Sequence, residues 1–374
     1  MESTIIDYFV SLITIDSESK EEKDFALKLE KDLKELGATV RFDNANENTG
    51  GNIGNLYAYF AGNIKKEPIL LCAHMDTVSP GKCIKPKILE DRITSDGTTI
   101  LGSDDKSGIA QIIWAIKELQ ENKEEYAPIE VLFTISEEIG LLGAKQVDYS
   151  LIQSKIGFAL DTHNVGEITI GAPSQNSIVY TVHGKESHAG VNPEDGLNAI
   201  KIASEAITLM PMGRIDKETT CNVGVIEGGK ATNIVPNKVI VKVEVRSHND
   251  EKLKRITDEI SQAFLKTVKK YKIGKFQAKV DIQVEQEYKS FHLDEDSLVI
   301  KLAEKASDKI GIPFKKVITG GGSDVNIFNK NGFEMPIAGT GMMNVHTVDE
   351  FILIKDLENG ARWVKEIIRN YSQM

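Results

Sequence analysis

A histidine and an aspartate separated by one residue carry the clearest chemical signal in the sequence. His74 and Asp76 close an apolar run, residues 69–73, which reads Ile-Leu-Leu-Cys-Ala. Such a run is typical of a strand that is buried on both faces. Because side chains two residues apart on a strand point the same way, both groups can share one pocket at the carboxyl end of a sheet.

Two further predicted strands also end in acidic residues. Residues 129–135 precede Glu137 and Glu138, and residues 156–160 precede Asp161. Carboxylates at the end of a core strand need partners or water, since an unpaired buried charge is costly. We therefore expect these groups to lie near the first pair.

A pair of aspartates occupies the segment between the first two of these strands. Asp104 and Asp105 lie in a Gly-rich loop, residues 96–108, which leads into a predicted apolar helix at residues 109–116. An aspartate at a helix start is often only a cap, worth about 1 kcal/mol. A cap accounts for one aspartate and not for two, so a ligand role for one of them is favoured beside the capping interpretation.

Taken together, these groups suit a hydrolytic metal centre. Imidazole and carboxylate groups without thiolate favour zinc in a catalytic rather than a structural site. Two metal ions a few Å apart need about five or six such ligands, one of them bridging, and can activate a shared water. The candidates are His74, Asp76, Asp104, Glu137, Glu138, Asp161 and His346.

The order of these motifs resembles the co-catalytic zinc peptidase family that contains peptidase T, carboxypeptidase G, aminoacylase and succinyl-diaminopimelate desuccinylase. The resemblance spans nearly the whole chain and is strongest to peptidase T-like proteins. The matching motifs are His-x-Asp-Thr-Val, Gly-Ser-Asp-Asp-Lys-Ser-Gly, Glu-Glu, Leu-Asp and Val-His-Thr, at residues 74–78, 102–108, 137–138, 160–161 and 345–347.

The resemblance implies two zinc ions per chain, with cobalt or manganese as alternatives. His74, Asp104 and Asp161 would bind one ion. Asp104 would bridge to the second ion, which Glu138 and His346 would complete.

The resemblance also implies catalytic roles for neighbouring residues. Asp76 would hydrogen-bond the free ring nitrogen of His74. Glu137 would take a proton from the metal-activated water and pass it to the leaving amine. A cis peptide bond is expected between Asp104 and Asp105.

The pattern of predicted elements indicates two domains, as expected for 374 residues. Residues 174–288 follow a β-α-β-β-α-β order, which predicts an inserted, ferredoxin-like α+β domain. Residues 1–173 and 289–374 would form one discontinuous α/β domain, with a mixed sheet between helices. The resemblance implies that this larger domain is a zinc-exopeptidase-like catalytic domain, and that the insertion is a lid that pairs two subunits.

Three residues of the inserted domain match positions that act on substrate in the family. His188, in Gly-Lys-Glu-Ser-His-Ala-Gly, would reach into the partner subunit's active site and stabilise an oxyanion. Asn233 and Arg246 would contact substrate, and Arg246 could grip a carboxylate with two hydrogen bonds. A turn amide and a surface arginine remain the alternative interpretations of the last two.

Composition excludes several classes of protein. The net charge of −11 argues against a nucleic-acid surface. No stretch approaches the roughly 18 apolar residues of a membrane helix, and the first residues lack a secretory signal, so we expect a cytoplasmic protein. Three cysteines at unrelated spacings build no disulfide framework.

The leading hypothesis is a dizinc metallo-exopeptidase of the tripeptide aminopeptidase type, which acts on short peptides as a homodimer. An N-acyl amino acid deacylase with the same metals and a catalytically inactive metal-binding scaffold are the alternatives. A nucleotide-binding protein is disfavoured, because the loop at residues 319–326 lacks the Gly-Lys-Ser/Thr ending of a phosphate-binding loop.

Overall fold

The computed structural model describes residues 2–374, which divide into two compact units. The larger unit comprises the chain up to Gly171 together with His292–Ile318 and Ser323–Met374. The smaller unit comprises Ala172–Phe291 and Thr319–Gly322.

The short segment Thr319–Gly322 differs from the sequence prediction, which assigned it to the larger domain. Close packing inside the smaller unit gives the physical reason. A β-carbon placed on Gly322 would lie 2.2 Å from the ring of Tyr288, so only glycine allows the backbone to approach that ring.

Ten α-helices form within the described residues. They are α1 (Ile5–Ile13), α2 (Lys23–Glu35), α3 (Ala45–Thr49), α4 (Ser103–Glu121), α5 (Leu142–Lys145), α6 (Ala199–Thr208), α7 (Asp250–Lys269), α8 (Leu298–Ile310), α9 (Asp324–Lys330) and α10 (Ile354–Ser372).

Twenty strands accompany them in the same part of the chain. They are β1 (Thr39–Phe42), β2 (Leu56–Phe60), β3 (Ile69–His74), β4 (Lys87–Ile88), β5 (Arg92–Thr94), β6 (Ile129–Thr134), β7 (Gly157–Thr162), β8 (Glu167–Ala172), β9 (Ser174–His183), β10 (Gly213–Arg214), β11 (Thr219–Gly228), β12 (Lys238–Ser247), β13 (Lys272–Ile273), β14 (Phe276–Gln277), β15 (Lys279–Tyr288), β16 (Phe291–His292), β17 (Lys315–Ile318), β18 (Ile337–Gly339), β19 (Met342–Met343) and β20 (Phe351–Leu353).

A mixed sheet forms the centre of the larger unit, in the order β1-β2-β6-β3-β7-β18-β8-β16, with β17 paired to β8. Strand β3 runs parallel to both β6 and β7, whereas β2 pairs antiparallel with both β1 and β6. Every residue of β3 and β6 is buried. The parallel core strands therefore end at one edge of the sheet. This edge receives His74 at the end of β3, the glutamates that follow β6, and Asp161 near the end of β7.

Helix α4 carries the two aspartates of the Gly-rich loop to the same edge. Its regular part is almost entirely buried, with Ile109, Ile112 and Ile116 fully enclosed. Asp104 and Asp105 have non-helical backbone angles, and the peptide bond between them is cis, as the resemblance implies. Neither aspartate side chain caps the helix, since Asp104 contacts His74 and His346, and Asp105 accepts the backbone N–H of His74.

The smaller unit is a sheet with two helices in the predicted β-α-β-β-α-β order. Its strands follow the order β10-β11-β12-β9-β15, and α6 and α7 pack against β9 and β12. The core is continuous from sheet to helix, since Tyr180 on β9 stacks on Phe264 of α7 at 4.0 Å between ring centres. The alternating burial along β9 matches a sheet with one covered face.

Short strands account for most of what sequence patterns did not predict. Strands β19, β20, β5 and β4 form a separate small sheet, each with two or three residues. Strand β8 was also missed. Among residues 2–374, no helix is long and apolar enough to cross a membrane.

Candidate metal centre and active site

Asp104 faces two imidazoles, one with each of its carboxylate oxygens. Oδ1 lies 3.0 Å from Nε2 of His74, and Oδ2 lies 3.2 Å from Nε2 of His346. The side chain of His74 is buried, whereas that of His346 is half exposed. Asp104 thus has the position of a bridging carboxylate between two groups of ligands.

Each imidazole also meets a second carboxylate. Nε2 of His74 lies 3.7 Å from Asp161, and Nε2 of His346 lies 2.9 Å from Glu138. The structure therefore brings all five predicted metal ligands together around Asp104, with His74 close to both Glu138 and Asp161. Their assignment as ligands remains a prediction.

The donor set fits divalent cations. Ring nitrogens and carboxylate oxygens converge at hydrogen-bonding distances, and ligand atoms of His74, Asp104 and Glu138 lie within 4.8 Å of one another. Imidazole and carboxylate ligands suit zinc and related ions.

The pKa values in the cluster reflect the burial of several carboxylates close to one another. Burial, together with repulsion from Asp161 and Asp324, raises the pKa of Glu137 well above its usual value. Burial opposes ionisation of Asp104 as well, but hydrogen bonds from His346 and His74 outweigh it and lower its pKa. Hydrogen bonds to Asp104 and Glu138 raise the pKa of His346 to about 10.

Asp105 also lies close to His74 and Asp161, within the same 4.8 Å limit. Its Oδ2 accepts a hydrogen bond from the backbone N–H of His74 at 3.2 Å. We therefore interpret Asp105 as a residue that orients the end of β3, and Asp104 as the stronger candidate ligand. The capping alternative for Asp104 loses its basis, since its side chain caps no helix.

Asp76 makes further contacts beside the one the resemblance implies. Nδ1 of His74 lies 2.9 Å from the backbone carbonyl of Asp76 and 3.5 Å from its carboxylate, so the backbone is the closer partner. The carboxylate also accepts the backbone N–H groups of Glu137, at 2.9 Å, and Glu138, at 3.2 Å. Asp76 therefore fixes the two acidic residues after β6 as well as the histidine.

Glu350 is a site residue that sequence reasoning missed. It is 1% exposed, and its carboxylate accepts backbone N–H groups of Leu101, Gly102 and Asp104 at 2.8, 2.9 and 3.1 Å. It also accepts the hydroxyl of Ser103 at 2.6 Å. Glu350 thus holds the loop that presents Asp104, and only its position four residues after His346 hinted at this.

Asp324 is a second missed residue. It is 4% exposed, and its Oδ2 accepts the hydroxyl of Thr134, at the end of β6, at 2.6 Å. Its other oxygen, Oδ1, has no hydrogen-bond partner among the described residues. Burial raises the pKa of Asp324 to about 6. The sequence showed it only as the acid of the Gly-Gly-Gly-Ser-Asp loop.

The remaining predicted residues belong to the smaller unit. His188 is exposed, and its Nδ1 accepts the backbone N–H groups of Gly190 and Val191 at 3.2 and 3.1 Å. The ring proton must then lie on Nε2, which makes Nε2 a donor. Asn233 is its neighbour, because the carbonyl of Asn233 accepts the N–H of Ala189 at 2.9 Å.

Arg246 lies near the end of β12, where its guanidinium is already partly engaged. It donates to Glu244 at 3.1 Å and to the carbonyl of Gly320 at 3.3 Å. Its Nε is buried and has no hydrogen-bond partner among the described residues. Arg246 therefore keeps one donor that could bind a ligand, but its other contacts are within the protein.

Comparison with known proteins gives one consistent result. The sequence model of peptidase family M20/M25/M40 matches residues 70–370. The uncharacterised protein YqjE of Bacillus subtilis is 38% identical over 368 residues, which is 98% of each chain. Two solved structures are similar over nearly their whole length. Aminopeptidase PepT from Bacillus cereus has a TM-score of 0.88 and 38% identity, and covers 98% of this chain and 97% of its own. A tripeptidase from Staphylococcus aureus has a TM-score of 0.93 and 35% identity, and covers 99% of this chain and 98% of its own.

The two ligand groups can be separated by their metal content. We expect the purified chain to bind two divalent ions, and His346→Ala to keep about one, because His74, Asp104 and Asp161 form a group without it. Elemental analysis after dialysis against zinc measures this. His183→Ala is the matched control, since His183 pairs with Asp281 in the smaller unit; equal loss from both variants would contradict the assignment.

The metal-free chain should become less stable as the pH rises. Since the folded-state pKa of His346 is raised to about 10, its ion pairs stabilise the fold below the unfolded value of roughly 6.5, and that stability is lost as the pH rises through 10. Carboxyl groups with raised pKa values act in the same direction. Thermal unfolding of chelator-treated protein between these limits measures the effect. His346→Gln should flatten the profile, and an unchanged slope would refute this account.

Proposed function

Because the chain belongs to peptidase family M20/M25/M40, we propose that it is a peptidase T-like exopeptidase that hydrolyses short peptides. The observation that carries the proposal is Asp104, whose two oxygens face two imidazoles while Glu137 stands beside the ligand candidate Glu138. The relatives at 38% and 35% identity are described as an aminopeptidase and a tripeptidase. This favours a peptidase over the deacylase and the inactive scaffold.

We propose that His74, Asp104 and Asp161 hold one divalent ion and that Asp104, Glu138 and His346 hold a second. Zinc is the expected ion, and cobalt or manganese can use the same ligands. When bound, such ions supply Lewis acidity, which polarises the scissile carbonyl and makes a water more acidic.

In this proposal Glu137 is the general base. Its carboxylate takes a proton from the attacking water and then delivers it to the amine that leaves, which keeps the proton balance of the hydrolysis. Asp76 fixes the position of that carboxylate through the backbone N–H groups of Glu137 and Glu138. Asn233 and Arg246 are proposed substrate contacts, and the buried, unpartnered Nε of Arg246 supports a role for it in binding a carboxylate.

We also propose that the smaller unit is a lid through which two chains form a homodimer. Beyond its short pairing with β10, strand β11 is the edge of its sheet, and Val225 and Ile226 on it are 41% and 49% exposed. An exposed apolar edge strand is a ready surface for a second chain. His188, with its Nε2–H available as a donor, would stabilise the oxyanion in the partner's site. A cytoplasmic location remains part of the proposal.

A substrate panel tests the activity. We expect the zinc-loaded chain to release the N-terminal residue of tripeptides, to act more slowly on dipeptides, and to leave N-acetyl amino acids intact. Glu137→Ala should lower kcat by about 100-fold to 10,000-fold while both ions remain bound. Chromatographic detection of free amino acids measures turnover. Turnover of acylated compounds alone would replace the peptidase with a deacylase, and full activity of Glu137→Ala would remove the assigned base.

Mixing of inactive variants tests the role of His188 across the dimer. Glu137→Ala and His188→Ala should each be nearly inactive, yet mixed dimers contain one site with both residues intact. Random exchange of subunits in equal amounts should then restore about a quarter of the wild-type activity, as two-fold symmetry requires. No recovery, with exchange verified by native mass spectrometry, would show that His188 does not act in trans.

A further inference from the structure

The turn that carries Glu137 has an unusual set of hydrogen-bond partners. It comprises residues 135–138, and each of its four backbone N–H groups is accepted by a side-chain oxygen from another part of the larger unit. The pairs are Ile135 to Asn55 at 3.0 Å, Ser136 to Glu22 at 3.0 Å, Glu137 to Asp76 at 2.9 Å and Glu138 to Asp76 at 3.2 Å.

Side chains hold the N–H groups of this turn, whereas its carbonyl groups accept backbone N–H groups of residues 140–143. Ladder bonding of β6 ends at Thr134, and Ser136 then adopts a left-handed conformation with φ of 52°. A residue other than glycine occupies that region at some cost, and surrounding contacts must maintain it. The direction in which Glu137 leaves the strand therefore depends on the acceptors that surround Ser136 as well as on the backbone hydrogen bonds from residues 140–143.

Glu22 is the acceptor that holds Ser136. Its Oε1 receives the backbone N–H of Ser136 at 3.0 Å and the hydroxyl of Ser136 at 3.0 Å, and also the N–H of Lys20 at 2.9 Å. Glu22 is fully buried, although it lies near the start of the chain and precedes α2. A buried carboxylate in this place is costly unless it is hydrogen-bonded, and two of the three hydrogen bonds of Glu22 go to the turn. Its other oxygen, Oε2, is buried and has no hydrogen-bond partner among the described residues.

The same N-terminal segment also reaches the other side of the turn through Asp76. The hydroxyl of Ser19 donates to Oδ2 of Asp76 at 2.6 Å, on the oxygen that accepts the N–H of Glu138. Backbone hydrogen bonds fix this segment beside β3, since Thr77 donates to Ser17 at 2.9 Å and Ser19 donates to Thr77 at 3.3 Å. Ser19 and Glu22 thus support the turn from two directions.

We propose that Glu22, assisted by Ser19, is a positioning residue for the general base Glu137. It acts through the backbone of Ser136 and touches neither substrate nor metal ligand. This inference rests on the proposed function for its effect on turnover, but the contact itself can be measured without any activity.

Two substitutions at position 22 separate the hydrogen bond from the charge. Glu22→Met keeps the length of the side chain and removes the acceptor, whereas Glu22→Gln keeps an oxygen that can accept. Because small displacements of a catalytic group are costly, we expect Glu22→Met to lower kcat by about 10-fold or more, with KM and the metal content unchanged. Glu22→Gln should stay within about threefold of the wild-type kcat, since the acceptor remains.

A matched control distinguishes a loss of kcat from a general loss of stability. Glu130 is also fully buried, and its carboxylate clamps the backbone N–H groups of Gln153 and Ser154 at 2.9 and 2.8 Å, away from the turn. Glu130→Met should lower the melting temperature without lowering the kcat of the folded protein. If Glu22→Met does not fold, Ser19→Ala is a milder second variant. We expect it to lower kcat by a smaller factor.

Hydrogen exchange gives the measurement that does not need a substrate. In Glu22→Met the backbone N–H groups of residues 135–138 should exchange at least about 10-fold faster than in the wild type, because local opening becomes easier. Glu130→Met should leave them unchanged. Unaltered exchange in Glu22→Met, or equal loss of kcat in the Met and Gln variants, would overturn the positioning role; absence of peptide turnover in the wild type would overturn only the proposed function.

Discussion

The mutual repulsion of carboxylates at the end of one sheet is the constraint on which the rest of the larger unit depends. Asp104, Glu137, Glu138 and Asp161 all lie where β3, β6 and β7 end, and burial raises the pKa of several of them. Like charges in a poorly solvated place separate unless something holds them. The protein restrains these groups from behind, and the two imidazoles and the carboxylates at the centre form a cluster that could hold metal ions.

The restraint from behind is provided by further carboxylates that bond to backbone. Glu350 holds the loop before Asp104, Asp76 holds the N–H groups of Glu137 and Glu138, and Glu22 holds Ser136. In each case an acid is used as a hydrogen-bond acceptor for N–H groups that no strand or helix satisfies. These acids lie behind the cluster, and burial raises the pKa of Glu22 and of Glu350. They therefore act as acceptors that fix the backbone on which the cluster is carried.

Sequence patterns predicted the parts of this arrangement that depend on local order. The apolar runs of β3 and β6, each followed by ionisable residues, were enough to place His74 and Glu138 at one sheet edge. The family resemblance supplied the pairing of His346 with the second group. Asp76, Glu22 and Glu350 show the limit of the approach. Each acts on backbone N–H groups distant in sequence, and no motif records which acceptor faces which donor. The two-residue and three-residue strands were missed because so few residues show no period.

The distance along the chain between Glu350 and its loop bears on how the protein is made. Glu350 bonds to the N–H of Asp104, 246 residues earlier, and His346 meets Glu138, 208 residues earlier. Synthesis proceeds from the amino terminus, so these two side chains leave the ribosome after every other residue of the site. Until they do, the chain has neither the second imidazole nor the acid that holds Asp104, and β18, which lies between β7 and β8 in the sheet, is made only shortly before them. Hydrolytic capacity would then arrive only with the last part of the chain, which delays it until the larger unit can close around its own sheet.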